Sequence, residues 1–189
     1  MKPPVQIVIL YRHAKPLRHS TSLYCFLSLS LSLWRKKMYG ARLEQQLYDF
    51  TRSLQDQGIL DDRFDQLKEL DKETPGLAVE VIAMFIRDAD YGIEGLERKL
   101  FRSKPVLNYP KVTDLTHKLK GISASVGGCR VAAACSELRE SSLAYNKEKC
   151  FSDFDVVKRE YIYLREKLHQ ILEMERTIIA PYDTKKRRK

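Results

Sequence analysis

The segment that decides the fold is Phe154-Asp-Val-Val157-Lys-Arg-Glu-Tyr161-Ile-Tyr-Leu164-Arg-Glu-Lys-Leu168-His-Gln-Ile171. Its apolar residues fall at spacings of 3, 4, 3, 4 and 3 with charged residues between them. A period near 3.5 residues lays them along one side of a helix, which is the seam of a helical bundle. The spacing predicts a long helix from about Phe151 to Ile179.

Working back, the same signal recurs. Cys129 to about Tyr145 reads as a helix that follows the Gly127-Gly128 break. Lys111 to Val126 carries Val112, Leu115, Leu119, Ile122 and Val126, again at 3, 4, 3, 4. Leu77 to Phe101 is a long helix with Val81, Phe85, Leu96 and Leu100 on its apolar side, closed by Ser103-Lys104-Pro105. Two shorter helices precede it. One spans Ala41 to Gln57, with Leu43, Leu47, Phe50 and Leu54 in a stripe ended by Gly58; the other is opened by Asp61-Asp62 and carries Phe64 and Leu67. The only period-2 alternation lies in the Leu-Ser run near the N-terminus. The expected fold is all-α, an antiparallel four-helix bundle with two additional shorter N-terminal helices.

The ends of the chain read differently from its body. Residues 1–37 hold seven of the 34 Lys and Arg residues and none of the 25 acids, and Lys185 to Lys189 hold five more basic residues. The body, residues 38–184, is therefore mildly acidic, with 22 basic residues against 25 acidic ones, although the whole chain carries +9. That distribution, with no basic face interleaved with aromatics, argues against a nucleic-acid-binding domain. The apolar run Leu23 to Trp34 is shorter than the ~20 residues a membrane-spanning helix needs. It is flanked by basic residues but followed by no small-x-small cleavage site, and its Leu-Ser alternation matches a translated CT dinucleotide repeat. The preferred reading is a translated leader or disordered extension over 1–37; a signal or anchor and a functional extension are the alternatives. The domain is expected over 38–180, with a basic tail over 181–189 that is either a solvated end or a nuclear import signal. Cys25, Cys129, Cys135 and Cys150 include no C-x-x-C pair and no His at finger spacing, so small buried thiols in a reducing compartment are expected, and no metal site.

The helix beginning near Lys111 carries the unusual residues. At about 100° per residue, His117 falls about 180° from the centre of its apolar stripe and should face solvent. Gly121, one turn on, removes the side chain that would shade the imidazole, at a helix cost of about 1 kcal/mol relative to Ala. Lys120 stands about 60° round, where it could meet an anion attached to the ring, and Lys118 flanks the other side. An exposed helical histidine by itself is most simply a solvated polar residue. Beside a lysine and a glycine it suits a nucleophile whose covalent adduct is anionic, phosphohistidine. His13 and His19 lie in the N-terminal extension, and His169 lacks a comparable neighbourhood.

The stretch His117-Lys-Leu-Lys-Gly-Ile-Ser-Ala-Ser-Val-Gly127 closely resembles the signature His-Gln-Leu-Lys-Gly-Ser-Ser-Ala-Ser-Ile-Gly of plant histidine-containing phosphotransfer proteins. The resemblance runs from about Leu43 to Arg176. It includes Gly58-Ile-Leu-Asp-Asp-Arg-Phe-Asp-Gln-Leu67, Thr74-Pro75 before Val79-Glu-Val81, and Lys158-Arg-Glu-Tyr161 with Leu164 to Arg176. It implies a helical bundle in which His117 takes a phosphoryl group from the receiver domain of a sensor histidine kinase and yields it to response regulators, as in cytokinin-type signalling. It also implies that the partner receiver supplies Mg²⁺, that the carrier has no cofactor and no autonomous kinase catalysis, and that it works as a monomer in cytoplasm and nucleus. Asp114, Lys118, Lys120 and Gly121 are expected to form the phosphate and receiver-binding face, with a small, readily released interface. Two departures stand out: Lys118 replaces the usual Gln, adding a cation beside the site, and Ile122 replaces the first Ser, at the edge of the core stripe. The family also contains pseudo-members that lack the histidine. The alternative function is therefore a decoy or adaptor that binds receivers without efficient transfer, although His117 is present here.

Overall fold

A computed structural model describes the backbone of residues 21–102 and 107–186 and the side chains of residues 38–102 and 107–178. Among the described residues there are six helices and no strand: α1 (Thr21–Asp56), α2 (Asp62–Glu73), α3 (Leu77–Phe101), α4 (Tyr109–Ser125), α5 (Cys129–Leu143) and α6 (Lys147–Lys186). The chain divides into two units, residues 1–42 and 43–189, and α1 contributes residues to each. Of the leader expected over 1–37, residues 1–20 lie outside the described residues, and of the tail expected over 181–189, residues 187–189 do; the described backbone of residues 21–37 and 181–186 is helical. No described helix is long and apolar enough to cross a membrane.

Helix boundaries follow from local chemistry. Asp61 caps α2, its carboxylate accepting from the Arg63 amide at 3.0 Å. Asp71 reaches from the end of α2 to accept from the amides of Gly76 (3.0 Å) and Ala78 (2.9 Å), satisfying donors that the start of α3 leaves open. Asn108 caps α4 through the Lys111 amide at 3.1 Å, with Pro110 in the first turn, so α4 starts two residues before the apolar pattern suggested.

Within the second unit α4 packs between α3 and α5, α6 covers α5 and returns onto α3, and α2 lies against α3 and α4. The six seam residues of α6, Phe154 to Ile171, are all buried as their spacing predicts. Leu119 and Leu115 of α4 pack over Gly92 and Gly95 of α3, where an added Cβ would make only ordinary contact with those side chains. Tyr161 is buried between α6 and α3; its hydroxyl donates to Asp90 at 2.7 Å and lies 3.1 Å from the Ile86 carbonyl oxygen. Burial, then the Asp90 carboxylate, push that phenol well above its ordinary range. Glu175, buried at the far end of α6, is held by Lys68 of α2.

The end of α4 is locked to α2. Gly127 takes φ +74°, its carbonyl accepts from the Asp61 amide at 2.9 Å, and the Gly128 amide donates to Ser123 O at 2.8 Å. A Cβ at Gly127 would stand 2.9 Å from the Phe64 amide nitrogen and 2.9 Å from Asp61 Oδ1. Gly127→Ala therefore combines backbone strain with a clash against backbone. It should destabilise by about 2–4 kcal/mol, which a thermal melt would report as a fall of roughly 10 °C in Tm. An unchanged Tm would show that this junction is looser than described.

Candidate functional site

The register of α4 differs from the apolar pattern in one informative way. Val112, Leu119 and Val126 are buried as expected, but Leu115 and Ile122 are only partly so, and Thr116 and Ser123 are fully buried instead. Both hydroxyls bond back to their own helix, Thr116 to Val112 O and Ser123 to Leu119 O, each at 2.7 Å, so burial leaves neither unsatisfied. With Thr116 and Ser123 counted, the buried stripe turns by about 40° toward α5. His117 then stands about 140° from its centre, and Gly121 about 180°.

His117 is exposed, as expected, but leans toward α5 instead of pointing straight out. It lines an open groove of about 480 Å³ between α4 and α5, together with Tyr109, Thr113 and Asp114 on its own helix and Arg139, Ser142 and Tyr145 across it. Ser142 fixes the groove floor, its hydroxyl lying 2.9 Å from Thr113 Oγ1 and donating to Tyr109 O at 3.0 Å. Tyr109 and Tyr145 meet edge to face at 5.1 Å and form an aromatic rim.

The other residues singled out in the sequence surround His117 without all converging on it. Gly121 is exposed, and nothing stands within 4 Å of where its Cβ would be. Lys120 is exposed on the α5 side of the helix. Lys118 does not itself line the groove but turns to Asp114, which does, Nζ to Oδ2 3.1 Å. The cation added beside the site thus has a carboxylate for a neighbour, which moderates its charge there. Ile122 is partly buried and packs against the core, as its position on the wheel suggested.

Arg139 was not legible from the α4 signature. It is exposed, lines the groove with His117, and comes from a different helix 22 positions on. Its only sequence signal is a basic residue on the α5 face that flanks the buried positions Cys135, Leu138 and Ser142.

Three of the cysteines behave as small packed side chains; Cys25 lies outside the described side chains. Cys135 and Cys150 are buried, and Cys129 is partly so, its thiol donating to Gly58 O at 3.0 Å. Burial pushes the Cys135 thiol up to about 12 against a smaller lowering by Lys120. At pH 8 Cys135 should therefore resist a thiol reagent until the protein unfolds. Rapid modification of Cys135 in the native protein would contradict this packing.

No protein-family model matches the chain. Among curated proteins it is 37% identical over 150 residues to histidine-containing phosphotransfer protein 2 of Oryza sativa subsp. japonica, covering 78% of this chain and 99% of the relative. It is 37% identical over 140 residues to histidine-containing phosphotransfer protein 2 of Arabidopsis thaliana, covering 74% and 89%. The crystal structure of a rice histidine-containing phosphotransfer protein superposes with a TM-score of 0.69 at 35% identity, covering 74% of this chain and 98% of the rice chain. With an all-helical fold, an exposed histidine on α4 and relatives matched over nearly their full length, this chain belongs to the plant histidine-containing phosphotransfer proteins.

Proposed function

We propose that the protein is a two-component phosphorelay mediator that carries a phosphoryl group on His117, on an antiparallel four-helix bundle formed by α3 to α6. The observation that carries this reading is the exposed imidazole at the α4–α5 groove, with Gly121 leaving the space above it open. A relay of this kind needs from the carrier only an accessible neutral nitrogen, a docking face and charge compensation. The partners are receiver domains of sensor histidine kinases and of response regulators, and the receiver brings the Mg²⁺ and most of the positioning that phosphoryl transfer requires. Asp114, Lys118, Lys120 and Gly121 form the exposed surface next to His117 that a receiver would cover. Cytoplasm and nucleus are the compartments in which such a carrier would work.

Incubating the full chain with a phosphorylated receiver and Mg²⁺ tests the proposal. Label that is acid-labile and base-stable should appear on the protein and then pass to a second, unphosphorylated receiver. A receiver that binds but leaves no label would favour a decoy instead.

A further inference from the structure

The turn from α5 to α6 has a backbone that suits glycine, and it carries tyrosine. The Tyr145 amide donates to Ser142 O at 3.2 Å and the Asn146 amide to Ser141 O at 3.1 Å, the paired bonds that close a helix through a left-handed residue. Tyr145 is that residue, at φ 56°, and among the described residues it is the only non-glycine with positive φ. Asn146 then opens α6, its side chain accepting from the Lys149 amide at 3.0 Å. Glycine at 145 would make the same bonds without strain. The ring recovers little of that strain within the fold: it is 70% exposed, and Tyr109 meets it edge to face. A strained, exposed aromatic side chain points to a contact made outside the fold.

Its surroundings are of one character. Tyr145, Leu143, Tyr109 and Pro110 line one end of the α4–α5 groove, and Leu143 is itself exposed. The polar atoms beneath them are already committed, Ser142 Oγ donating to Tyr109 O and lying 2.9 Å from Thr113 Oγ1. A polar occupant would find no open partner in that floor, whereas an apolar side chain would leave water there. The charged lining residues, Asp114 and Arg139, stand nearer His117 in the antiparallel register that Thr113 and Ser142 fix. Distance then selects the occupant. Tyr109 precedes His117 by eight residues, about 12 Å along the helix. A small interface of about 600 Å² per partner has a radius of roughly 14 Å. A receiver centred on the imidazole therefore reaches this end of the groove.

We infer that the Tyr109–Leu143–Tyr145 end of the groove seats an apolar side chain of the receiver domain that exchanges the phosphoryl group with His117. The inference rests on the phosphorelay reading and adds to it a partner contact away from the reacting atoms. The contact supplies affinity through apolar burial and takes no part in making or breaking bonds. Tyr145 is the anchor, a rigid ring held in place before binding by Tyr109 and by its own backbone.

The test measures binding of the full chain to two unphosphorylated receiver domains, one from a sensor histidine kinase and one from a response regulator, by isothermal titration calorimetry. Tyr145→Gly should weaken Kd about tenfold, and Tyr145→Phe, which keeps the ring, should bind as the wild type does. Leu143→Ser should weaken Kd by roughly threefold. The ratio of Kd between wild type and Tyr145→Gly should hold from low to high salt, because apolar burial is not screened. Tyr145→Gly should melt where the wild type does, relief of the left-handed backbone offsetting the lost contact with Tyr109. A ring kept only for the fold would instead lower Tm and leave Kd alone. Equal Kd for wild type and Tyr145→Gly with both receivers would overturn this inference alone. A wild type that binds neither receiver and takes no label at His117 from a phosphorylated one would overturn the phosphorelay reading and the inference with it.

Discussion

Replacing Gly121 with leucine should lower phosphoryl acceptance at His117 by at least about 100-fold while the protein stays folded. Gly121 lies one turn beyond His117, about 40° round the helix. Side chains on a helix tilt toward its N-terminus, so a leucine at 121 leans back over the turn that carries His117. There it stands where a receiver must bring its aspartyl phosphate, and a displacement of about 1 Å at the reacting atoms is enough for a loss of this size. Nothing in the fold opposes the substitution. The position is exposed, with open space beyond the missing Cβ, and leucine is the better helix former by up to about 1 kcal/mol. Tm should therefore be unchanged or slightly higher. Transfer at the wild-type rate would mean that a receiver does not approach over this face.

Much of this fold is legible in the sequence because its helices bury apolar residues at regular spacing. The α6 seam is read without error from Phe154 to Ile171, and Gly58 and the Gly127-Gly128 pair mark real helix ends. The pattern fails where burial is not apolar. Thr116 and Ser123 look like surface residues, yet their hydroxyls are satisfied within α4 and their small size suits the interior. Leaving them out rotates the inferred core stripe and makes His117 seem to point straight into solvent. Glu175 is hidden for a related reason, since only its pairing with Lys68 of α2 makes its burial tolerable.

The candidate site divides along the same line. His117, Lys120 and Gly121 share one helix, so helical geometry relates them directly. The side of the helix that Lys118 serves depends on Asp114 one turn back, a pairing that spacing allows but does not require. Arg139 reaches His117 only through the antiparallel register of α4 and α5. That register is fixed by Thr113 against Ser142, contacts between helices that periodicity within one helix cannot supply.

The other large effect is expected at the imidazole itself. His117→Gln keeps a polar side chain of similar reach on an exposed position, so folding and receiver binding should survive, but its amide nitrogen is no nucleophile. The most direct measurement therefore compares wild type and His117→Gln side by side with a phosphorylated receiver and Mg²⁺, recording both binding and acid-labile label. The account predicts that the two proteins bind the receiver equally and that label appears on the wild type alone. Equal labelling of the His117→Gln protein would place the phosphoryl group on another residue and contradict the account.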